Sequence, residues 1–131
     1  MSPDRSGGAI EMTPDADEFG AEWVAAWNSH DLDRIVAHYS DDIVFRTPMA
    51  ERLVGTGLIE GKAALRTYWG RALEIAPHLK FDLQRVYAGF GVLTIAYTNH
   101  RDQLAAETCE FGSDGLVIRS AACYVDNAGV K

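Results

Sequence analysis

The stretch 22–48 constrains the fold of this chain more than any other, because it predicts two short helices that lead directly into a strand. In the first helix, Phe19, Trp23 and Trp27 recur every four residues and form one apolar stripe. Thr13 is the expected N-cap of this helix. A helix with one apolar stripe must cover another apolar surface, so the rest of the chain is expected to supply a sheet.

The second helix is predicted from apolar residues at three-to-four spacing over 32–39. Asp31 is its expected N-cap, and the polar residues 40–42 are expected to end it. The apolar, β-branched segment 43–47 then predicts a strand. This strand is expected to end at Pro48, because proline lacks the backbone donor that a central strand needs.

The remainder of the sequence predicts one more helix and four strands. Segment 49–61 has three glycines and no sustained period, so it is expected to be a loop or a short irregular hairpin. Apolar residues on one face predict a helix at 62–76, closed by Pro77. Helices followed by consecutive strands indicate the α+β class, with helices on one face of a curved antiparallel sheet and a hollow between the layers. Short turns separate the predicted strands 79–87, 90–99, 104–111 and 116–125.

Length and composition place the chain among single-domain globular proteins. With 131 residues it has room for one core, and we expect a disordered tail at 1–12 followed by a single domain at 13–131. The net charge of −7 repels the phosphates of nucleic acid, which is therefore not an expected partner. No apolar run is long enough to span a membrane and no secretory signal is recognisable, which predicts a cytoplasmic protein without a membrane partner.

Signals for cofactors and metals are missing from the sequence. It contains no P-loop, dinucleotide fingerprint or nucleophile elbow, so no cofactor is expected. Cys109 and Cys123 are too few for a disulfide scaffold and are expected to be small buried hydrophobes. The four histidines do not share metal-ligand spacing on one element, so no metal site is expected.

The predicted strand 104–111 carries one carboxyl on an apolar face. Strand alternation puts Ala105, Glu107, Cys109 and Phe111 on the same side. Desolvation there raises the pKa of Glu107 unless a cation or several donors hold its charge, and a raised pKa makes a usable proton donor. The alternative is that Glu107 pairs with a structural arginine or lies at the solvated rim.

Side chains on neighbouring elements are expected to surround the same hollow. By strand alternation Tyr97 and Tyr124 face inward, and we predict that they act beside Glu107 in catalysis. The aromatic residues of the helices either fill the core or form walls for a flat apolar ligand. The predicted ligand-binding residues are Trp23, Trp27, Tyr39, Thr47, Tyr68, Trp69, Ile95, Asn99, Cys109 and Ser120.

Three motifs between residues 19 and 125 carry a resemblance to a known family. They read W-x-x-x-W-N-S-H-D-L-D-R-I-V-A-H-Y-S-D-D-I-V-F-R-T-P, G-K-A-A-L-R-T-Y-W and G-L-V-I-R-S-A-A-C-Y. With them the chain resembles the NTF2-like superfamily, and within it the SnoaL-like and ketosteroid-isomerase-like proteins. The resemblance implies a cone-shaped fold of three N-terminal helices on a curved antiparallel sheet, a pocket open at one end, and a homodimer.

The resemblance also implies how a steroid-isomerase site maps onto this chain. The catalytic base of those enzymes precedes the proline that ends the first strand, where this chain has Thr47. Their oxyanion tyrosine falls on Trp23, and their protonated aspartate falls on Glu107. Steroid isomerisation is therefore not expected, because abstraction of a carbon-bound proton needs a positioned base.

Two functions from different classes are compatible with these residues. The first is a SnoaL-like protein that binds a small hydrophobic molecule, cyclic or not, and carries out acid–base chemistry of the isomerase, cyclase or hydrolase type through Glu107. The second is a non-catalytic ligand-binding or dimerisation module, in which the hollow holds a ligand or is packed shut by tryptophans.

Overall fold

The structure is a computed structural model and describes residues 13–125. The predicted tail at 1–12 and the last residues of the predicted domain lie outside the described residues. Its helices are α1 (Ala16–Ser29), α2 (Leu32–Val36), α3 (Pro48–Val54) and α4 (Lys62–Ile75). Its strands are β1 (Tyr39–Arg46), β2 (Leu58–Glu60), β3 (Asp82–Ala88), β4 (Val92–Thr98), β5 (Leu104–Phe111) and β6 (Val117–Tyr124). None of these helices has the length and apolar character that crossing a lipid bilayer requires.

The strands form one sheet in the order β2-β1-β6-β5-β4-β3. The last four strands are the predicted antiparallel meander, and β2 pairs antiparallel with β1. β1 lies parallel to β6, which was not predicted from the sequence. Register shifts interrupt three of the pairings, and such irregularities increase the local twist and bend of a sheet. The predicted α+β fold, with helices packed on one face of a curved sheet, is confirmed.

Side-chain caps fix where the first two helices begin. The carboxylate of Asp15 accepts a hydrogen bond from the backbone N–H of Glu18 at 3.0 Å, so Asp15 and not the predicted Thr13 caps α1. A carboxylate at this position also faces the positive end of the helix dipole, an advantage that a threonine hydroxyl lacks. Asp31 caps α2 as predicted, through the N–H of Arg34 at 3.3 Å.

The second helix is shorter than predicted. It ends at Val36, and Tyr39 is the first residue of β1 instead of the last member of a helical stripe. Tyr39 pairs with Val117 at the start of β6, and the N–H of Val117 donates to the carbonyl of His38 at 3.0 Å. A strand partner from far along the chain therefore overrides the local helical period.

A further helix, α3, occupies part of the segment 49–61 that was predicted to be a loop or hairpin. Thr47 is its N-cap, with the hydroxyl accepting a backbone N–H two residues later at 3.3 Å, and Pro48 is its first residue. Gly55 closes it with a φ of 86°. Proline just inside the start and glycine just past the end is the usual asymmetry of helix termini, so a signal for this helix was present in the sequence.

Aromatic side chains from α1, α4 and the sheet form the centre of the core. Trp27 packs edge-on against Trp69 with ring centroids 4.9 Å apart, and Trp23 stacks on Phe81 at 5.6 Å. The side-chain amide of Asn28 donates to the carbonyl of Phe81 at 2.9 Å and accepts from its N–H at 2.7 Å. Large rings dominate the apolar area buried in such a core. The two hydrogen bonds of Asn28 hold the segment before β3 against α1.

The outer face of the sheet carries polar side chains together with exposed apolar ones such as Tyr87 and Leu104. The hydroxyls of Thr94 and Thr108 lie 2.9 Å apart, and Arg119 forms an ion pair of 3.2 Å with Glu110. Cys123 also points to this side of β6 and is exposed, so its predicted burial is wrong, whereas Cys109 is buried as predicted. The next residue along β6 faces inward, so strand alternation alone accounts for the exposed thiol.

A homodimer that uses this outer face stays a prediction. Light scattering after size-exclusion chromatography at micromolar concentration is expected to give twice the mass of one chain. Thr108→Arg is expected to shift the protein toward monomer, because it adds a charge to each of two facing surfaces. A single-chain mass for the unaltered protein would contradict the prediction.

Two helical glycines test how tightly the helices pack. A Cβ atom on Gly20 would clash with Cγ2 of Val86 on β3, whereas one on Gly70 would lie 3.4 Å from Leu32. Gly70→Ala is expected to raise the free energy of unfolding by about 0.5–1 kcal/mol, since glycine is the worse helix former. Gly20→Ala is expected to lower it by about 1–3 kcal/mol through overpacking. Urea denaturation measures both, and equal effects would contradict the close approach of α1 to β3.

Candidate functional site

A cavity of about 390 Å³ lies between the helices and the inner face of the sheet. This volume is in the range of pockets that hold small organic molecules. The walls include Trp23, Trp27 and Trp69, so the tryptophans line the hollow and do not pack it shut.

The deep end of the cavity is built from the inner faces of β4, β5 and β6. Glu107 lies beside Ala122 in one row across the sheet, and Ala105 lies between Tyr97 and Tyr124 in the next row. The small side chain of Ala105 leaves room for two phenol rings to approach each other. Strand register therefore brings together the three predicted catalytic residues, all of which line the cavity.

A network of buried hydrogen bonds holds the carboxyl of Glu107 on the side away from the cavity. Its Oε2 atom accepts from the hydroxyl of Tyr39 at 2.8 Å and from the hydroxyl of Ser120 at 2.9 Å. The indole N–H of Trp23 donates to the Tyr39 oxygen at 2.9 Å. Because an indole N–H can only donate, the hydroxyl proton of Tyr39 is left for Glu107.

The network leaves one carboxyl oxygen for the cavity. Glu107 lines the cavity, whereas Tyr39 and Ser120 are not among its lining residues. Both hydrogen bonds that the carboxyl accepts from described residues go to Oε2. While Tyr39 and Ser120 both donate to Oε2, the proton of the neutral carboxyl resides on Oε1, so a ligand meets a donor there, and it meets an acceptor when the carboxyl is ionised.

Burial sets the charge of this carboxyl. Glu107 is 3% exposed, and no ion pair within residues 13–125 includes it. Loss of hydration raises the pKa of Glu107 from its ordinary 4.5 to about 7, while the hydrogen bonds from Tyr39 and Ser120 oppose the rise. The alternatives of an arginine partner or a rim position are therefore wrong. Near neutral pH both protonation states are populated, as a general acid or base requires.

The tyrosines around the carboxyl supply hydroxyl donors. Burial raises the pKa of Tyr97 well above its ordinary value, and the neighbouring Tyr124 and Glu107 raise it further. Burial likewise raises the pKa of Tyr124 and of Tyr68. These phenols stay protonated at physiological pH, so they serve as hydrogen-bond donors and not as bases.

The position of the steroid-isomerase base is occupied by a helix cap. Thr47 lines the cavity and is 4% exposed, but its hydroxyl caps α3 and does not ionise near neutral pH. A phenol does stand next to Glu107, although it comes from Tyr39 on β1 and not from the position of Trp23 on α1. The indole N–H of Trp23 instead donates a hydrogen bond to the hydroxyl of Tyr39.

The structure divides the predicted ligand-binding residues into two groups. Behind the wall, and not among the lining residues, lie Tyr39, Ile95, Cys109 and Ser120. The residues that line the cavity are Trp23, Trp27, Thr47, Tyr68, Trp69 and Asn99. Within residues 13–125 no three His, Cys, Asp or Glu side chains are placed to hold a metal ion.

The sequence patterns did not predict most of the residues at the mouth of the cavity, which we call the rim. This rim consists of part of α3, the segment after α4, and the turn between β4 and β5. Its polar and charged members are Arg52, His78, Asn99, His100, Arg101 and Gln103. The Thr-Pro start and glycine end of α3 would have revealed one of the three segments. The other two are irregular and carry no periodic signal.

Comparison with known proteins identifies a matching family. A family model described as SnoaL-like domain matches residues 21–123. The chain is also similar to a SnoaL-like protein of unknown function from Burkholderia thailandensis, with 37% sequence identity, a TM-score of 0.81, and coverage of 85% of this chain and 95% of that chain. None of the curated proteins matches the sequence.

Two more distant structures are similar in fold alone. One is an isomerase candidate of the SnoaL-like family from Agrobacterium tumefaciens, with 12% identity, a TM-score of 0.69, and coverage of 85% of this chain and 97% of that chain. The other is TerC co-crystallized with polyporic acid, with 13% identity, a TM-score of 0.68, and coverage of 82% of this chain and 89% of that chain.

The raised pKa of Glu107 predicts a specific dependence of stability on pH. Between pH 4.5 and about 7 the folded protein binds more protons at this group than the unfolded chain, so the free energy of unfolding falls as pH rises through this window and levels off above it. Glu107→Gln is expected to remove this contribution. Urea denaturation from pH 5 to pH 8 compares the two proteins, and identical slopes would contradict a neutral, buried carboxyl.

Proposed function

The chain belongs to the SnoaL-like domain family, and from that membership we propose that it binds a small, largely apolar molecule on which Glu107 carries out acid–base chemistry. One observation carries the proposal: a carboxyl that is 3% exposed lines an apolar cavity with one oxygen held and the other left for a ligand. Fixed geometry and a pKa near neutrality are what a general acid or base needs.

The chemistry follows from the two protonation states of Glu107. When neutral, the Oε1 proton is a donor for an oxygen that gains negative charge, as in opening a lactone or an epoxide or in forming an enol. When ionised, the same atom accepts a proton from the ligand or from a water molecule. Tyr97 and Tyr124 hydrogen-bond to each other, which leaves one of their two hydroxyl protons as a further donor for the same ligand oxygen. Isomerase, cyclase and hydrolase reactions all use such steps.

The walls favour a flat apolar ligand. Trp23, Trp27, Phe81 and Tyr97 present ring surfaces to the cavity, and their centroids lie within 4.4–6.4 Å of one another in the contacting pairs. Ring surfaces bind other flat, apolar groups with little polar selectivity. A cyclic or aromatic molecule therefore fits the walls better than a branched polar one.

Steroid isomerisation is not part of the proposal. That reaction needs a base to take a proton from carbon, and Thr47 offers only the hydroxyl that caps α3. Among the described residues that line the cavity, Glu107 is the only acid. A reaction that needs two carboxyl groups at once is therefore disfavoured.

The rival function is a binding module without catalysis. Thr47 favours this function, because with a threonine at that position the cavity has hydrogen-bond donors at its deep end but lacks the base that the related isomerases use. A dimer, a cytoplasmic location and the lack of a nucleic-acid partner stay predictions under either function.

Glu107→Gln separates the two functions. In a screen of ketones, lactones and epoxides, the substitution is expected to lower turnover by about 100-fold or more while ligand affinity changes little, because the amide keeps the shape but cannot transfer a proton. The pH profile of the unaltered enzyme is expected to inflect near pH 7.

The matched control is Glu110→Gln. Glu110 lies on the same strand but on its other face, where it pairs with Arg119, so this substitution is expected to leave turnover unchanged. If Glu107→Gln alters neither turnover nor ligand affinity, the catalytic role is wrong. Tight binding without turnover of any compound supports the binding module.

A further inference from the structure

The charged groups of the cavity are distributed unlike those of the whole chain. The chain has 19 acidic and 12 basic residues, yet among residues 13–125 the lining holds two arginines and a single acid. That acid is Glu107 at the deep end, where burial favours its neutral form. Both arginines, Arg52 and Arg101, lie on the rim, and Arg101 is exposed and forms no ion pair within residues 13–125. A ligand that enters the cavity therefore passes a positively charged side chain, although the net charge of the whole chain is negative.

Hydrogen bonds to Asn99 fix the backbone of the turn that carries Arg101. The side-chain oxygen of Asn99 accepts the backbone N–H of Arg101 at 2.9 Å and that of Gln103 at 3.1 Å, while its amide donates to the Gln103 side chain at 3.0 Å. Asp102 continues the turn with a φ of 58° and is not among the lining residues. Asn99 thus positions the β4–β5 turn through its side-chain oxygen and one of its amide N–H groups.

The polar groups inside the cavity are mainly donors. Tyr97 and Tyr124 stay protonated, and Oε1 of neutral Glu107 carries a proton. The indole N–H of Trp27 is buried and has no hydrogen-bond partner within residues 13–125. A buried donor without an acceptor is unfavourable, so an oxygen-rich ligand suits this interior better than an amine.

From this distribution we propose that the ligand is an anionic amphiphile: a flat apolar body held by the aromatic walls, with a carboxylate at the rim beside Arg101. This inference rests on the proposed function and adds the chemical class of its ligand. Arginine matches carboxylate because its planar fork donates two parallel hydrogen bonds. An amphiphile oriented in this way points the end remote from its carboxylate at Glu107, so a reacting oxygen at that end meets the donors of the interior.

Matched pairs of probes test the charge preference. The pairs are benzoate and benzamide, 2-naphthoate and 2-naphthamide, and biphenyl-4-carboxylate and its carboxamide, each titrated by calorimetry. In at least one size class the carboxylate is expected to bind about three- to tenfold more tightly than the amide at low salt. The preference is expected to shrink at high salt, because an exposed charge is screened.

Substitutions of Arg101 test whether this rim residue causes the preference for carboxylates over amides. Arg101→Gln is expected to bring the carboxylate and the amide to equal affinity, and Arg101→Lys to keep part of the difference. The control is Arg85→Gln, which removes the same charge from the exposed surface of β3, away from the lining residues. It is expected to leave the preference intact.

The outcomes separate this inference from the function on which it rests. If acid and amide bind equally to the unaltered protein, or if Arg85→Gln reduces the preference as much as Arg101→Gln does, the inference is wrong while apolar binding stands. If no probe of any size binds, the inference and the proposed function both fail.

Discussion

A buried carboxyl held by two hydroxyls is the interaction on which the rest of this structure depends. Ionised carboxylates are costly to remove from water, and here the cost is limited by hydrogen bonds from Tyr39 and Ser120 and by a pKa near 7. Trp23 completes the chain of donors. The four residues come from α1, β1, β5 and β6, so the helix layer and the sheet can pack closely only in the arrangement that satisfies this network.

The same network separates a buried interior from an exposed mouth. Behind Glu107 the side chains are buried and hold its Oε2 atom, while Glu107 itself lines the cavity. In front of it aromatic rings form apolar walls, and the rim consists of α3, the segment after α4 and the β4–β5 turn. The interior determines what chemistry is available. The rim determines which molecules reach it, and irregular segments of this kind are where a shared fold varies between relatives.

Much of the deep site could be predicted from the sequence, because strand alternation depends only on the order of residues. The alternation in β5 placed Glu107 among Ala105, Cys109 and Phe111 on the buried face, and the structure confirms that placement. Its raised pKa follows from the same pattern, since an apolar face removes water from whatever polar group it carries. The rim could not be predicted in this way, since loops have no period and their contacts come from distant parts of the chain.

The sequence by itself determined the long helices, the four-strand meander, the inward face of its strands, and the isolation of one acid, since these depend on local periodicity and on residue type. Only the tertiary structure decided the role of Tyr39. Its spacing fits a helix, but pairing with β6 makes it the first residue of β1 and brings its hydroxyl 2.8 Å from Glu107, 68 residues later in the chain. Hydrogen bonds between distant segments form only when the whole sheet closes on its helices, and no local pattern records which partners then meet.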